Sequence, residues 1–359
     1  MNYRCRVPGK AVLMGEYAVT DGLPALAMAV DRFAIVSLAS CSPDRAGLSA
    51  PQVWPETVGF RVIDRTSLCW DSSNPGWPKV RWTAGLIDRL IKALNPPGLG
   101  PFHLEIDTSS LFIDDQGQRT KLGLGSSSAI AVGLFRVLAM HLASERNDSP
   151  EALLQSLLPE YRAAQHGQGS GIDLATAVHG GLIAFRNQRG ETSVKPVEWP
   201  EGLLLDFAWT GGSASTPKLL SRYRDWQLAR PEQAARWHRM AATLLEQGLA
   251  ALRRGETEEL VCLLGEYGRG MRTMGGWMGV DLTPDVHLRI MQRAEQLGLA
   301  AKPSGAGVGD LSLIAGTCSE AMEAMSHWLR SEKITRVEMS PVRAGATLGS
   351  GRQSGKDFD

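Results

Sequence analysis

The sequence predicts an α+β protein of two domains. Its 359 residues exceed what one compact core usually organises. Patterns typical of strands and of helices follow one another irregularly, and this order fits two α+β domains better than a regular βαβ array. Three glycine-rich loops, at 123–128, 166–173 and 302–310, interrupt these elements and mark places where a ligand can approach the backbone.

The composition argues against several classes of protein. Lys plus Arg and Asp plus Glu both number 38, so the formal net charge is zero and nothing global favours a nucleic-acid or membrane partner. The first ten residues lack a signal-peptide core, and Asp31-Arg32 and Arg136 interrupt the longest apolar stretches. Five scattered cysteines without metal-ligand spacing predict free thiols in a reducing, cytoplasmic location.

Hydrophobic periodicity and turn residues place the individual elements. In the first half we expect strands within 7–39 and at 102–107 and 182–185, irregular hairpins over 42–78, and helices over 80–94, 129–142 and 151–165. In the second half we expect strands at 203–209, 311–315 and 334–339, and helices at 231–254, 286–297 and 320–330. The polar stretch 186–201 predicts a boundary between domains 1–195 and 196–359, and the tail from Ala344 is expected to be frayed.

The loop at 123–128 reads Gly-Leu-Gly-Ser-Ser-Ser and opens directly into a helix that is apolar on nearly every face. Backbone N–H groups at a helix N-terminus are unpaired and partly positive, and glycines let a phosphate come close to them. One of the serine hydroxyls could also ligate the Mg²⁺ of a nucleotide. The loop lacks the P-loop pattern, and the alternative is a serine N-cap on a core helix.

Other segments carry weaker signals of the same kind. The second loop ends at Asp173, an acid that could accept a proton or position a cation, or could simply cap the next helix. The third loop, Lys302–Asp310, is either a backbone surface that meets a ligand or another loop, or a tight turn. Lys10 follows Pro8-Gly9 and could meet a phosphate as a mobile point charge, although an isolated lysine is more often a solvated surface residue.

In their order and spacing these segments resemble the GHMP kinase superfamily over most of the chain. Pro8–Ala29 is similar to the first family motif, Gly123–Ala129 to the second, phosphate-binding motif, and Lys302–Asp310 to the third. The resemblance implies the GHMP kinase fold, with an N-terminal ribosomal-protein-S5-like domain and a C-terminal ferredoxin-like domain. It also implies that ATP, Mg²⁺ and a small-molecule substrate meet in the cleft between the two domains.

Within the superfamily the chain most resembles phosphomevalonate kinases. Tyr17 stands where mevalonate kinases usually carry histidine, and Arg162 stands where they carry a metal-binding glutamate eleven residues before the catalytic aspartate. Trp209–Thr216 resembles a segment near the substrate in phosphomevalonate kinases. Val308 departs from the pattern, since that family usually has glycine there, and valine is costly if the backbone needs a positive φ.

This resemblance implies transfer of the γ-phosphoryl group of MgATP to (R)-5-phosphomevalonate. Mevalonate or another small alcohol as acceptor, and diphosphomevalonate decarboxylation, are the alternatives within the enzyme class. A non-catalytic nucleotide-binding sensor is the alternative outside it, and the presence of both Lys10 and Asp173 argues against that. We expect a monomer or a homodimer.

The resemblance also assigns roles to particular residues. Lys10 and Asp173 are the expected catalytic residues, and Ser127 is the expected Mg²⁺ ligand. The expected ATP-binding residues are Gly123, Leu124, Gly125, Ser126, Ser127 and Ser128. The expected substrate-binding residues are Tyr17, Ser170, Gly171, Ser213, Ser215, Thr216, Ser304, Gly305, Ala306 and Gly307.

Overall fold

A computed structural model describes residues 2–115, 117–143, 149–165, 167, 169–188, 190–212 and 215–350. The α-helices in these ranges are α1 (Trp77–Leu94), α2 (Ser126–Ala143), α3 (Pro150–Ala164), α4 (Ile172–His179), α5 (Thr216–Ala229), α6 (Pro231–Arg254), α7 (Thr257–Met278), α8 (Asp285–Gln296) and α9 (Ser319–Ser331). The β-strands are β1 (Asn2–Met14), β2 (Ala25–Ser40), β3 (Gly47–Ala50), β4 (Trp54–Asp64), β5 (Ser67–Trp70), β6 (Phe102–Asp107), β7 (Phe112–Asp115), β8 (Gln118–Lys121), β9 (Leu182–Gln188), β10 (Glu191–Val197), β11 (Leu204–Trp209), β12 (Ala300–Ser304), β13 (Leu311–Gly316) and β14 (Thr347–Ser350). This mixed content confirms the α+β prediction.

A large sheet organises the first part of the chain, in the order β10-β9-β2-β6-β3-β4-β5. Strand β1 pairs antiparallel with β2 along most of its length, and β14 pairs with β1 at Tyr3–Arg6. Helix α2 packs on β1 and β2, and most of its apolar residues are buried, as predicted. Gly133 makes this packing possible, because a Cβ atom there would lie 2.4 Å from a methyl group of Val36.

The second part of the chain is built on a smaller antiparallel sheet, β11-β13-β12. Helices α8 and α9 pack on this sheet, and α5, α6 and α7 pack on one another beside it. The predicted strand at 334–339 is wrong as a regular strand. The segment follows β11 through hydrogen bonds from Trp209 N to Thr335 O and from Val337 N to Phe207 O, both 2.8 Å, with a bridge between Ala208 and Arg336.

The stretch predicted to hold the domain boundary and part of the predicted tail both join the large sheet. The polar stretch 191–197 forms β10, which pairs with β9 and extends the large sheet. Residues 340–346 return to this sheet through backbone hydrogen bonds such as Gly181 N to Val342 O (2.8 Å). Residues 347–350 then form β14, so the expectation of fraying is wrong for them, because β1 offers an edge that they satisfy. The division at 195/196 stays a prediction.

Candidate active site

A cleft of about 500 Å³ lies where the first and third motifs meet. Its lining includes thirteen of the predicted site residues: Lys10, Tyr17, Gly123, Gly125, Ser126, Ser127, Ser170, Gly171, Asp173, Ser215, Thr216, Gly305 and Ala306. Leu124, Ser128, Ser304 and Gly307 are outside the lining, and Ser213 lies outside the described residues. Segments distant in the sequence therefore converge as predicted, while the role of each residue stays a prediction.

The glycine-serine loop turns sharply between β8 and α2. Gly123 and Gly125 have φ values of +75° and +76°, which favour glycine over residues with side chains. The backbone N–H of Lys10 donates to Leu124 O at 2.9 Å, so Leu124 holds β1 against the loop. The buried Ser128 hydroxyl donates to Gly125 O at 2.7 Å, which leaves Ser126 and Ser127 to face the cleft.

Lys10 and Asp173 form an ion pair at the centre of this arrangement. The distance from Lys10 Nζ to Asp173 Oδ1 is 3.3 Å, and the lysine side chain is 9% exposed against 38% for the aspartate. Lys10 projects from β1 beside Gly125, where an added Cβ atom would lie 3.1 Å from Lys10 Cγ. Asp173 lies in the first turn of α4, so a cation and an acid from different elements face one ligand space.

The second glycine-rich loop is held by Arg162 from α3. Its guanidinium donates to Ser170 O at 2.9 Å, and the Asn187 side chain donates to the same oxygen at 3.0 Å. Gly171 has a φ of +93° and packs against Leu158. Arg162 therefore supports the loop that precedes Asp173.

The third glycine-rich loop is shorter than predicted, because Lys302–Ser304 belong to β12. Lys302 is fully buried, forms an ion pair with Glu16 and donates to Pro303 O at 2.7 Å. The Glu16 carboxylate also accepts from Gly305 N at 3.3 Å. Burial lowers the pKa of the Lys302 ammonium, and the Glu16 carboxylate opposes that shift. This pair joins the first motif to the third.

Tyr17 makes a second connection between the same motifs. Its hydroxyl donates to Ala306 O at 2.5 Å, and its ring packs on Tyr223 with centroids 5.1 Å apart. Tyr17 itself has a φ of +62°, an uncommon conformation for a residue with a side chain. The residue predicted to bind substrate thus also fixes the position of the third loop at the cleft.

Val308 has the positive φ that makes valine costly at this position. Its φ is +73°, in a region where a β-branched residue is a clear outlier. Its N–H donates to Leu282 O at 2.9 Å. A strained residue of this kind costs about 1–3 kcal/mol and persists only where surrounding contacts impose it.

His287 supports the same loop from α8. It is buried, with Nδ1 2.5 Å from Ser312 Oγ and Nε2 3.2 Å from Gly309 O. Burial lowers the pKa of His287 to about 4, with a further lowering from the Lys302 ammonium, while the Gly309 carbonyl and Asp281 act in the opposite direction. The imidazole is therefore neutral at pH 7 in the folded protein.

We predict a loss of stability on acidification that depends on His287. Below about pH 6.5 the unfolded chain binds a proton that the folded protein excludes, so the free energy of unfolding falls as pH falls towards about 4. Between pH 6.5 and 5 this contribution is about 2 kcal/mol. Urea denaturation of His287→Gln should show a weaker pH dependence than wild type by that amount. The exposed His327→Gln is the control, and an unchanged pH dependence in His287→Gln would contradict the prediction.

Several cleft residues are absent from the sequence prediction. Glu16, Lys121, Tyr161 and Gln165 line the cleft together with Asp310. Lys121 lies two residues before the glycine-serine loop, and its position near a phosphate-binding pattern is a signal that could have identified it. Gly123 lies close against Asp310. A Cβ atom added at Gly123 would lie 2.5 Å from the carboxyl carbon of Asp310. The contacts of Tyr161 and Asp310 depend on tertiary packing that the local sequence does not reveal.

Comparison with known proteins agrees with this geometry. Residues 84–181 match the GHMP kinases N terminal domain. The chain is 27% identical to the phosphomevalonate kinase of Streptomyces sp. (strain CL190) over 349 residues, which cover 89% of this chain and 91% of that protein. The chain contains a GHMP kinase N-terminal domain. It is a phosphotransferase similar to phosphomevalonate and mevalonate kinases.

The proteins similar to this chain include a mevalonate kinase as well as phosphomevalonate kinases. The chain is 26% identical to the mevalonate kinase of Aeropyrum pernix over 309 residues, covering 85% of this chain and 86% of that protein. The structure of Streptococcus pneumoniae phosphomevalonate kinase with phosphomevalonate and AMPPNP superposes with a TM-score of 0.72 at 18% identity, covering 94% of this chain and 99% of that one. Among the helices of the described residues, none is long and apolar enough to cross a membrane.

Proposed function

We propose that this protein transfers the γ-phosphoryl group of MgATP to the phosphate of (R)-5-phosphomevalonate, giving 5-diphosphomevalonate. The observation that supports phosphoryl transfer is the position of Lys10 Nζ. This atom lies 3.3 Å from Asp173 Oδ1 and beside the glycine-serine loop. The choice of acceptor is supported by similarity to a phosphomevalonate kinase along nearly the whole chain. Arg162 supports it too, since it occupies the position of the metal-binding acid of mevalonate kinases and contacts Ser170 O.

The cleft fits the phosphates of a nucleotide. Gly123 and Gly125 leave backbone exposed at the start of α2, whose N-terminal N–H groups and dipole favour an anion. Lys10 and Lys121 line the same space and would offset phosphate charge. Phosphoryl transfer depends mainly on such positioning and charge stabilisation.

The donor set also fits Mg²⁺. This ion prefers oxygen ligands and is usually held by one or two protein oxygens together with substrate phosphates. Ser127 offers a hydroxyl at the cleft, and the described residues hold no group of three or more His, Cys, Asp or Glu that could bind a metal without the nucleotide. When bound, Mg²⁺ would neutralise charge on the β- and γ-phosphates. Ser127 would hold it on the protein side.

We predict that Gly125→Val weakens ATP binding. Valine at a φ of +76° is strained, and its side chain would enter the space between Lys10 and Ser128 where the phosphates are expected. Loss of one charged hydrogen bond costs about 1.5–3 kcal/mol, so the KM for ATP should rise roughly 10- to 100-fold. Gly85→Val, on an exposed face of α1 with open space around it, is the control. Normal ATP binding by folded Gly125→Val would show that the loop is misassigned.

The acceptor determines what Asp173 has to do. An alcohol must lose a proton of high pKa, so a general base contributes much. A phosphomonoester has a second pKa of about 6 and is mostly dianionic at neutral pH, so its attacking oxygen needs no base. A carboxylate near two phosphates is tolerable if a cation accompanies it, and Asp173 is paired with Lys10. Asp173 would therefore position Lys10 and the substrate.

We predict that Asp173→Asn keeps measurable activity. A partly exposed ion pair contributes up to about 1 kcal/mol, so loss of the pair should lower kcat about fivefold. Loss of a general base would instead lower kcat by about 10²–10⁴. The measurement is kcat against pH for both proteins. A collapse in activity together with loss of the acidic limb of the profile would assign Asp173 as the base and favour an alcohol acceptor.

Direct competition tests the acceptor. Equal concentrations of mevalonate and phosphomevalonate are supplied with MgATP, and the products are identified by phosphorus NMR. We expect the diphosphate resonances of diphosphomevalonate beside those of the ADP that either acceptor would give, and a falling phosphomonoester signal, while mevalonate is unchanged. Exclusive phosphorylation of mevalonate would overturn the acceptor and leave the family assignment intact. Mevalonate is the second candidate, because of the similarity to the Aeropyrum pernix mevalonate kinase.

A further inference from the structure

The hydroxyl of Tyr161 lies next to the serine that we assign to the metal. Tyr161 belongs to α3 and is 8% exposed, and its hydroxyl oxygen is 3.2 Å from Ser127 Oγ. The residue lines the cleft, and its ring meets Trp82 edge-on at a centroid distance of 6.4 Å. The phenol is therefore buried by packing on one side and reaches the nucleotide space on the other.

The hydrogen-bond directions around Tyr161 favour donation to Ser127. The Gln165 side-chain amide donates to the Tyr161 oxygen at 3.4 Å. The single hydrogen of the phenol can therefore be donated to Ser127 Oγ. A tyrosine phenol has an ordinary pKa of about 10, so it carries its hydrogen at neutral pH. A hydrogen bond from Tyr161 would occupy one lone pair of Ser127 Oγ and leave the other for a cation.

We propose that Tyr161 is a positioning residue that orients the Ser127 hydroxyl towards nucleotide-bound Mg²⁺. The inference rests on the proposed function, in which Ser127 is the metal ligand. Groups that hold a metal ligand by hydrogen bonds commonly change metal affinity by about 10- to 100-fold when they are removed. The neighbouring Arg162 contacts Ser170 O, so α3 supplies a phenol near the metal position and a guanidinium to the adjacent loop.

Nucleotide binding with and without metal tests this role without turnover. Calorimetry would give the Kd of AMPPNP in Mg²⁺ and in EDTA for wild type, Tyr161→Phe, Ser127→Ala and the double variant. Tyr161→Phe keeps the ring that packs on Trp82 and removes only the hydroxyl. We expect its Kd to rise about tenfold in Mg²⁺ and to stay within twofold in EDTA. We expect the double variant to bind MgAMPPNP no more weakly than Ser127→Ala.

The outcomes separate this inference from the proposed function. Equal changes in Mg²⁺ and EDTA, no change in either, or additive losses in the double variant would overturn the role of Tyr161. If Ser127→Ala keeps the full effect of Mg²⁺, the metal assignment fails together with this inference. No acceptor is present in the experiment, so neither result bears on the choice between phosphomevalonate and mevalonate.

Discussion

Lys10→Met should lower kcat by about 10²–10³, with a smaller effect on the KM for ATP. Lys10 Nζ is buried beside the glycine-serine loop, where it can offset charge that develops on the transferring phosphoryl group. Loss of one preorganised charge of this kind costs about 3–4 kcal/mol in the transition state. Steady-state kinetics over ATP and acceptor concentrations would measure both parameters.

Two further variants sharpen the test of Lys10. Lys10→Arg should recover only part of the activity, because the guanidinium is larger and planar and the lysine stem lies close to Gly125. Lys79→Met removes an exposed lysine of α1 and should leave turnover unchanged. Near wild-type kcat in a folded Lys10→Met would refute the role of Lys10 in the reaction.

Lys302→Met should lower the free energy of unfolding by about 3–5 kcal/mol. The substitution leaves the Glu16 carboxylate buried without its cation, and breaking such a pair is far more costly than replacing both partners. Among the described residues, Glu16 Oε2 already lacks a hydrogen-bond partner. Urea denaturation at pH 7 would give the change.

The double variant Glu16→Leu with Lys302→Met tests the cause. Two apolar side chains remove the uncompensated charge, so the double variant should be more stable than Lys302→Met alone. If Lys302→Met alone lowers the free energy of unfolding by less than about 1 kcal/mol, the buried pair stabilises the fold no more than a surface ion pair does. That result would contradict the prediction. Loss of the pair should also raise the KM of both substrates, since Glu16 accepts from Gly305 N in the third loop.

Local signals in the sequence were sufficient to predict an element where residues at its two ends mark its start and its end. Helix α6 spans Pro231–Arg254 as predicted, because proline begins it and Gly255, with a φ of +71°, ends it. The alternation of apolar and polar residues predicted the strand at 102–107 with both of its ends correct. The glycine-serine loop was placed at the start of a buried helix because that helix is apolar on nearly every face.

Glycine content obscured α7, which the sequence prediction omits together with α5. Helix α7 contains five glycines, and glycine in a helix interior disfavours the helix by about 1 kcal/mol each. Tertiary packing explains Gly268 and Gly270, whereas Gly276 has open space around it. A Cβ atom at Gly268 would lie 2.8 Å from Lys302 Cβ, and one at Gly270 would lie 2.9 Å from Met240 Cε. Close approach to β12 and α6 therefore required glycine where local preference argued against a helix.

The candidate site was predictable to the extent that single loops form it. Lys10, the glycine-serine loop and Asp173 each stand in a recognisable pattern, and the structure brings them together. The Glu16–Lys302 pair joins residues 286 positions apart, and the Tyr161–Ser127 contact joins separate helices. No local pattern encodes such pairings, since they arise from how the elements pack.

The return of the chain to β1 has a consequence for folding. Strand β14 pairs with Tyr3–Arg6, so the first strand acquires its second neighbour from residues 347–350. During synthesis, domains generally fold from the N-terminus as the chain emerges, yet this edge of the large sheet stays open until residues 347–350 are made. Contacts of such long sequence separation are slow to form, because loop closure must precede their energetic gain. We therefore expect docking of residues 340–350 to be a late step, and the exposed β1 edge to be the point at which an incomplete chain is most prone to pair wrongly.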